Sequence, residues 1–177
     1  PDNPKFFNNR AISEGEKTNI FETSIKDYSK AIELRPNYTE AYYNRGIAYS
    51  NLTLFDEAII DFNKVIELES DFAGAYYYRG NAYFNQGKYP TAIKDYTKLI
   101  ELRPDYTKGY NNRGSAYGLL KDYELAIDDY TKLIELSPND IDAYSYRANA
   151  YFYLESPEAY LLSIKDYTKL IELKPEA

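Results

Sequence analysis

Residues Tyr110–Gly114 read Tyr-Asn-Asn-Arg-Gly, and the same motif stands one step earlier as Tyr-Tyr-Tyr-Arg-Gly at Tyr76–Gly80. A further step of the same length earlier, it reads Tyr-Tyr-Asn-Arg-Gly at Tyr42–Gly46. A fixed period in this range is typical of a stacked array, in which each repeat contacts mainly its neighbours. The sequence therefore predicts an array of repeats rather than one globular core, and the functional question becomes what that array holds.

Alignment on the Arg-Gly step divides the chain into five repeats. The three central repeats are equal in length, the first has one residue more, and the last has three more. We place the extra residues of the last repeat within Glu155–Leu162, between its two halves, where a loop tolerates a change of length. The repeats are 4–38, 39–72, 73–106, 107–140 and 141–177.

The two ends of the chain look like cut repeats. The chain begins without Met, and its opening Pro1–Asn3 resembles the repeat end at Pro138–Asp140. We therefore expect a single array over residues 1–177 that was excised from a longer protein.

Each repeat reads as two helices joined by a short turn. In repeat 107–140, aromatic and small residues recur at steps of three and four along Lys108–Leu120, which predicts a first helix there. Apolar residues recur in the same way along Glu124–Leu136, so Lys121 and Asp122 form the turn. Pro138 ends the second helix, because the residue before a proline avoids the helical region.

At three positions of the repeat, the same type of residue recurs along the chain; we call each such set of residues a column. One first-helix position is always Gly or Ala, and a second-helix position is always Ala or Ser. Small side chains at facing positions allow two helices to approach closely, and we expect the tyrosines beside them to fill the remaining core. The columns are Ala11, Gly46, Gly80, Gly114 and Ala148; Ser24, Ala58, Ala92, Ala126 and Ser163; and Tyr49, Tyr83, Tyr117 and Tyr151.

This pattern closely resembles the tetratricopeptide repeat (TPR) family, whose signature places aromatic and small residues and a final proline at fixed spacings within about 34 residues. The resemblance covers essentially the whole chain and recurs five times. It implies an all-α fold, a right-handed α-solenoid (superhelix) of antiparallel helix pairs. Two departures are systematic. Arg stands where the family usually has Leu, and the family's late Ala is kept only at Ala31 and is otherwise replaced by Val65, Leu99, Leu133 and Leu170. The residues that match in one repeat are Tyr76, Gly80, Tyr83, Ala92, Tyr96 and Pro104.

An arginine column and an aspartate column run through all five repeats. An Arg beside the close-packed small residues cannot easily reach water, and a buried charge needs a partner. We predict that each Arg pairs with one of these Asp residues and that this ladder fixes the stacking register; the alternative is a line of anion-binding arginines. The columns are Arg10, Arg45, Arg79, Arg113 and Arg147, and Asp27, Asp61, Asp95, Asp129 and Asp166.

In the resembled family, the first helices line a concave groove that holds a peptide. The side chains expected there are mostly Asn and Tyr, which suit a peptide backbone and apolar side chains better than charges. The alternative is that these residues reflect composition, since Tyr makes up 22 of 177 residues. The candidate peptide-binding residues are Asn9, Tyr43, Asn44, Tyr77, Tyr78, Asn81, Asn111, Asn112, Tyr146 and Asn149. The wider set adds Asn8, Ile12, Ile47, Asn51, Asn85, Ser115, Ser145 and Tyr153, with Phe84 and Phe152 near the rim.

Several functional classes are disfavoured by composition. The net charge is −7, and the basic surface that non-specific nucleic-acid binding needs is missing. The chain has no Cys or His, so it offers neither the usual zinc ligands nor a Cys or His catalyst. No apolar run reaches the roughly 18–20 residues that span a bilayer. We expect no enzyme, metal, cofactor, nucleic-acid or membrane role, and no compartment is indicated beyond a cytoplasmic default.

The sequence favours a scaffold that binds a protein or peptide in the groove. The chaperone-tail receptors of the family use a clamp of Lys, Asn and Arg, but Tyr77, Asp142 and Tyr146 stand where the cations are needed. A chaperone tail is therefore not the expected partner. Two alternatives stay open: self-association by end-to-end stacking of uncapped terminal repeats, and a regulatory segment of a larger enzyme.

Overall fold

The computed structural model describes residues 3–13 and 20–174, and the side chains of residues 11–13 and 20 fall outside that description. Over the described residues the chain forms ten α-helices and no strand. It divides into two compact units, Pro1–Lys88 and Tyr89–Ala177. The side chain of the small-column residue Ala11, residues 14–19 inside the first repeat and residues 175–177 at the end of the last repeat lie outside the described part.

Unit 1 contains five helices, and each packs against the next in sequence. The first helices of the second and third repeats, α3 and α5, also contact each other. Phe62 and Val65 of α4 are fully buried, which contributes roughly 1.5–3 kcal/mol for each side chain. The helices are α1 (Pro4–Ser13), α2 (Ile20–Leu34), α3 (Thr39–Asn51), α4 (Phe55–Leu68) and α5 (Ala73–Asn85).

Unit 2 has the same arrangement of five consecutive helices. Its core joins Tyr110 of the fourth repeat to Ile127, Tyr130 and Leu133 of the following helix and to Ala143 of the last repeat. The helices are α6 (Tyr89–Leu102), α7 (Thr107–Leu120), α8 (Tyr123–Leu136), α9 (Ile141–Tyr153) and α10 (Pro157–Leu173).

The helix ends follow the sequence signals. Helices α7 and α8 differ from the predicted bounds by one residue at their first positions and end where predicted. Helices α2, α6 and α8 each end two residues before a proline, as expected for a residue that avoids the helical region before it. The side chain of Asp140 caps α9 by accepting a hydrogen bond from the Ala143 amide at 3.1 Å.

The small columns do lie at close contacts between paired helices. A Cβ at Gly46 would come within 2.7 Å of the Phe62 ring, and one at Gly114 within 3.0 Å of the Tyr130 ring. Both pairs join the first and second helix of one repeat. A larger residue at either position would force the facing ring to shift, which would disturb the close packing of the two helices.

The extra residues of the last repeat lie within the predicted stretch Glu155–Leu162, but they form helix where a loop was expected. Helix α10 has 17 residues where α4, α6 and α8 have 14, while the connection before it is only 154–156. The three extra residues extend the helix at its start. Ser156 caps the extended helix by accepting from the Ala159 amide at 3.2 Å, and Pro157 occupies the first turn, where a missing N–H costs nothing.

The turns inside four of the repeats share a left-handed residue at the same position of the repeat. Only Gly87 (φ 73°) is a glycine, and the others are Thr53 (φ 58°), Lys121 (φ 66°) and Glu155 (φ 52°). A side chain in this region costs roughly 1–2 kcal/mol. The turn geometry is therefore imposed by the packing of the two helices and not by local preference.

Candidate functional site

The structure brings the arginine and aspartate columns together within single repeats. Arg45 donates from Nε and Nη2 to the Asp61 carboxylate, with both distances 2.8 Å. Arg113 reaches Asp129 at 2.9 and 2.7 Å in the same way. The pairs Arg10–Asp27 and Arg147–Asp166 have the same two-pronged geometry.

The same two columns predict a pair between Arg79 and Asp95 in the third repeat. Its two members belong to different compact units, so their pairing stays a prediction. Within unit 1, Arg79 donates to Asn63 Oδ1 at 2.6 Å.

A second column of arginine partners was not anticipated from the sequence. In each case the Nη1 atom donates to a polar side chain at a fixed separation earlier in the chain, on the second helix of the preceding repeat. One guanidinium thus binds two successive second helices. The signal was in the sequence, because a hydrogen-bond acceptor recurs there in every repeat, but its chemistry varies. The contacts are Arg45–Ser29 (2.9 Å), Arg79–Asn63 (2.6 Å), Arg113–Thr97 (3.0 Å) and Arg147–Thr131 (3.0 Å).

The pairs are held in a partly desolvated setting. Hydrogen bonds to the Asp129 carboxylate raise the pKa of the Arg113 guanidinium, and those to Asp166 raise the pKa of Arg147. Both arginines are therefore cations with Nε, Nη1 and Nη2 all engaged within the fold. An incoming anion would have to displace a carboxylate, which disfavours the anion-binding alternative. The role of the ladder in fixing register stays a prediction.

The candidate tyrosines of unit 1 form a continuous series of ring contacts. The ring of Tyr43 lies 5.7 Å from that of Tyr78, and Tyr77 lies 5.1 Å from Tyr78. The amide of Asn44 donates to Asn8 at 3.2 Å, which links α3 to α1. The half-buried Asn81 continues this surface along α5, and Asn9 is exposed on α1.

The candidate residues of unit 2 lie in a more open setting. Asn111 and Asn112 are half-buried on α7, and the amide of the first donates to the second at 3.3 Å. Tyr146 and Asn149 are exposed on α9. Asn149 Oδ1 accepts a hydrogen bond from the Tyr167 hydroxyl of α10 at 2.6 Å, which fixes the orientation of the Asn149 amide group.

Helices α7, α8 and α9 enclose an open cavity of about 930 Å³. We call this space the α7–α9 groove. Of the ten candidate peptide-binding residues, only Tyr146 and Asn149 line it. The complete lining is Ser115, Gly118, Leu119, Lys121, Tyr123, Ala126, Tyr130, Tyr146, Asn149, Ala150, Tyr153 and Glu155.

Tyrosine rings form much of the groove wall. Tyr123 and Tyr153 stack with ring centroids 5.4 Å apart and planes at 20°. Tyr130 and Tyr146 lie 5.5 Å apart at 37°. Stacked and tilted pairs of this kind are favourable and keep the rings in place. The groove thus presents preformed aromatic surfaces to a ligand.

The floor of the groove is formed by small and uncharged residues. Ala126 and Ala150 are buried there, and a Cβ added at Gly118 would meet no atom within 4 Å. The Tyr130 hydroxyl lies 3.3 Å from Ser115 Oγ. Burial raises the pKa of Tyr130 above its ordinary value, against the lowering by the Ser115 hydrogen bond, so its hydroxyl stays neutral at physiological pH.

The floor and one wall of the groove were not predicted from the sequence. The candidate residues came from the first helices only, whereas Tyr123, Ala126 and Tyr130 come from the second helix α8. Lys121 and Glu155 come from the left-handed turns at the groove mouth. Their opposite charges give the entrance no net sign.

Two further features bear on the class of site. In residues 3–13 and 20–174, acidic side chains do not gather in any group that could hold a metal ion. Among the helices of the same described ranges, none is long and apolar enough to cross a membrane.

Family comparisons match more than half of the chain. The model described as TPR repeat matches residues 18–52, 55–87 and 80–121, and that described as Tetratricopeptide repeat matches 107–140. No curated protein sequence matches the chain significantly.

Solved structures show the same fold. A crystal structure of MamA protein is 26% identical, with a TM-score of 0.89 over 97% of this chain and 92% of that one. A second MamA crystal structure is 28% identical, with a TM-score of 0.83 over 89% and 90%. YrrB, described as a TPR protein with an unusual peptide-binding site, is 21% identical, with a TM-score of 0.84 over 99% and 88%, and this likeness shows the fold alone. The predicted all-α solenoid class is confirmed, and the chain belongs to the tetratricopeptide repeat family.

Proposed function

We propose that this protein, a protein–protein interaction scaffold, holds a polypeptide segment of its partner in the α7–α9 groove. The single observation that carries the proposal is the open cavity of about 930 Å³, a size typical of ligand sites, walled by preformed tyrosine pairs. Tyrosines of this kind offer rigid contact area with a polar tip, as in binding hot spots. The mechanism is the presentation of a rigid surface and involves no catalysed reaction.

The residues of the groove favour contacts with a peptide backbone and with apolar side chains. Asn149 carries both donor and acceptor groups, and Ser115 supplies a hydroxyl. Lys121 and Glu155 lie at the mouth, where charges are hydrated and contribute mainly to orientation. The likeness to YrrB supports only the fold, so the proposal rests on these residues.

Gly118 provides a sharp test, because it lies on the groove floor and has open space at its Cβ position. We expect Gly118→Leu to fill the groove and to abolish binding of peptides selected from a random display library on the unsubstituted protein. Gly118→Ala is the matched control, since it adds one methyl group and should keep binding. Equal binding to all three proteins would place the peptide site elsewhere and contradict the proposal.

Self-association through α10 is a second candidate function. Ile164 and Ile171 of α10 are 61% and 67% exposed. Their counterparts in the fourth repeat, Ile127 and Ile134, belong to the core of unit 2 that joins α8 to α9. A face that is covered in the fourth repeat is therefore open in the fifth, and exposed apolar patches of this kind mark interaction sites.

Simple end-to-end stacking is disfavoured on steric grounds. A first helix that packs on a preceding second helix carries a small residue four positions before its arginine, such as Ala41, Gly109 or Ala143. A Cβ at Gly109 would already approach Ile100 within 2.9 Å. Helix α1 carries Phe6 at that position, so it cannot seat on α10 of a second copy in the same way. Pairing of two α10 faces is the form of self-association that remains.

Light scattering over a concentration series tests this candidate. We expect the mass to rise with concentration and Ile164→Glu to hold the protein as a monomer. Ile60→Glu is the matched control, because Ile60 is 66% exposed on α4, outside the α10 face. A monomer at every concentration would rule out self-association and leave the groove proposal intact.

A further inference from the structure

In unit 1, a ring of the chain itself fills the space beside Tyr78, the counterpart of Tyr146. The ring of Tyr43 on α3 packs 5.7 Å from Tyr78 on α5, 6.3 Å from Phe62 on α4, and 4.8 Å from Phe72. Phe62 and Tyr78 themselves stack at 6.0 Å. Four aromatic rings from consecutive elements thus form one cluster, and the ring of Tyr43 belongs to it.

The same cluster in unit 2 keeps only two of its four rings. Two repeats further along the chain, Phe62 corresponds to Tyr130 and Tyr78 to Tyr146, and these rings still pack together at 5.5 Å. The position of Phe72 is taken by Asp140, and the position of Tyr43, whose missing ring concerns the groove, is taken by Asn111. Tyr146 is consequently 39% exposed, whereas Tyr78 is half-buried.

Two other substitutions enlarge the space next to the missing ring. Ile47 of unit 1 corresponds to Ser115, and Ser50 corresponds to Gly118. Both replacements remove atoms from the side of α7 that faces the groove. Tyr130 and Tyr146 line the resulting cavity, so the vacant aromatic position, which in unit 1 packs on their counterparts, adjoins the α7–α9 groove.

We propose that the α7–α9 groove takes an aromatic side chain of the partner segment, which packs on Tyr146 and Tyr130 as the ring of Tyr43 packs on Tyr78 and Phe62. This inference rests on the proposed function and specifies its ligand. Aromatic rings prefer tilted and edge contacts at the spacings seen in unit 1. The chain's own ring therefore serves as the template for the ligand.

A polar tip on the ligand ring has partners within the groove. Ser115 Oγ on α7 lies 3.3 Å from the Tyr130 hydroxyl, and the Asn149 amide lines the groove from the facing helix α9. Tyrosine and tryptophan keep their polar atoms hydrogen-bonded when they are buried. Tyr and Trp segments should thus be bound at least as well as Phe segments.

The experiment selects peptides from a random display library on the full 177-residue chain and measures their affinity for variants. We expect the selected peptides to share an aromatic residue, and its replacement by Ala to weaken binding about thirtyfold, as for a hot-spot ring. Asn111→Tyr restores the missing ring from within the chain, and we expect it to weaken the same peptides to a similar extent. Asn37→Tyr, in the exposed turn before α3, is the matched control and should leave their affinity unchanged.

The outcomes separate the two proposals. Peptides that bind without a shared aromatic residue, or that bind the Asn111→Tyr variant unchanged, would refute the aromatic site while the scaffold function stands. If no peptide binds the unsubstituted protein, both proposals fail. Thermal unfolding of Asn111→Tyr distinguishes a filled site from a damaged fold, because the added ring should leave the midpoint unchanged or raise it.

Discussion

Removal of Asp129 should destabilise the protein far more than removal of its neighbour Asp128. The Asp129 side chain is 5% exposed and holds the Arg113 guanidinium, which is 19% exposed. Removing one partner of a buried ion pair costs about 3–5 kcal/mol, because the other charge is left without compensation. Arg113 keeps some hydration and a bond to Thr97 at 3.0 Å. We therefore expect Asp129→Ala to cost about 3 kcal/mol, at the lower end of that range.

Urea unfolding followed by helical circular dichroism measures this cost. Asp128→Ala is the matched control, because Asp128 is exposed on the same helix and surface substitutions stay within about 0.5 kcal/mol. A cost for Asp129→Ala below about 1 kcal/mol would show that the arginine does not depend on its carboxylate.

The double variant Arg113→Leu/Asp129→Ala closes the cycle. Leu is the usual residue of the family at the arginine position, so the double variant leaves no buried charge. We expect it to be about 2 kcal/mol more stable than the sum of the single effects predicts. Additive costs would refute the idea that the two side chains act as a pair.

Three further substitutions test other features. Thr53→Gly should stabilise the chain by about 1 kcal/mol in urea unfolding, because glycine relieves the left-handed turn; a loss of stability would contradict the strain. Thr131→Val removes the acceptor of Arg147 and should cost about 1 kcal/mol, whereas Thr168→Val, on the exposed face of α10, should cost less than about 0.5 kcal/mol. Burial raises the pKa of Tyr130, so the folded state keeps the hydroxyl proton to higher pH than the unfolded state. The free energy of unfolding therefore falls as pH rises from the ordinary tyrosine pKa through the raised value. Tyr130→Phe should remove one late-titrating tyrosine from the absorbance titration, and an unchanged titration would contradict the raised pKa.

The fold was predictable because the same helix-packing pattern recurs five times in the sequence. Helix positions, stop signals and the spacing between arginine and aspartate all follow from that repetition. The second arginine partners were missed because Ser29, Asn63 and Thr97 share a hydrogen-bonding role and not an identity. The insertion of the last repeat was expected as a loop but is helical, because a helix start with a good cap, Ser156, accommodates extra residues as readily as a loop.

The groove was less predictable for a different physical reason. A repeated column indicates which side chains point to one surface, but the opening of a cavity depends on differences in volume between repeats. Asn111, Ser115 and Gly118 are each smaller than their counterparts in unit 1, and their effects add on one side of α7. Such differences look like noise around the repeated pattern until the neighbouring rings are placed.

The arginine ladder and the proposed recognition surface are coupled by helix geometry. Arg113 is bound at once to Asp129 on its own second helix and to Thr97 on the preceding one, which fixes the rotation of α7 about its axis. Residues one and two positions before the arginine are turned by about 100° each, so the same contacts aim Asn111 and Asn112. We therefore expect the repeated arginine to set the direction in which the variable residues face, so that substitution at the variable positions changes specificity without disturbing the stack.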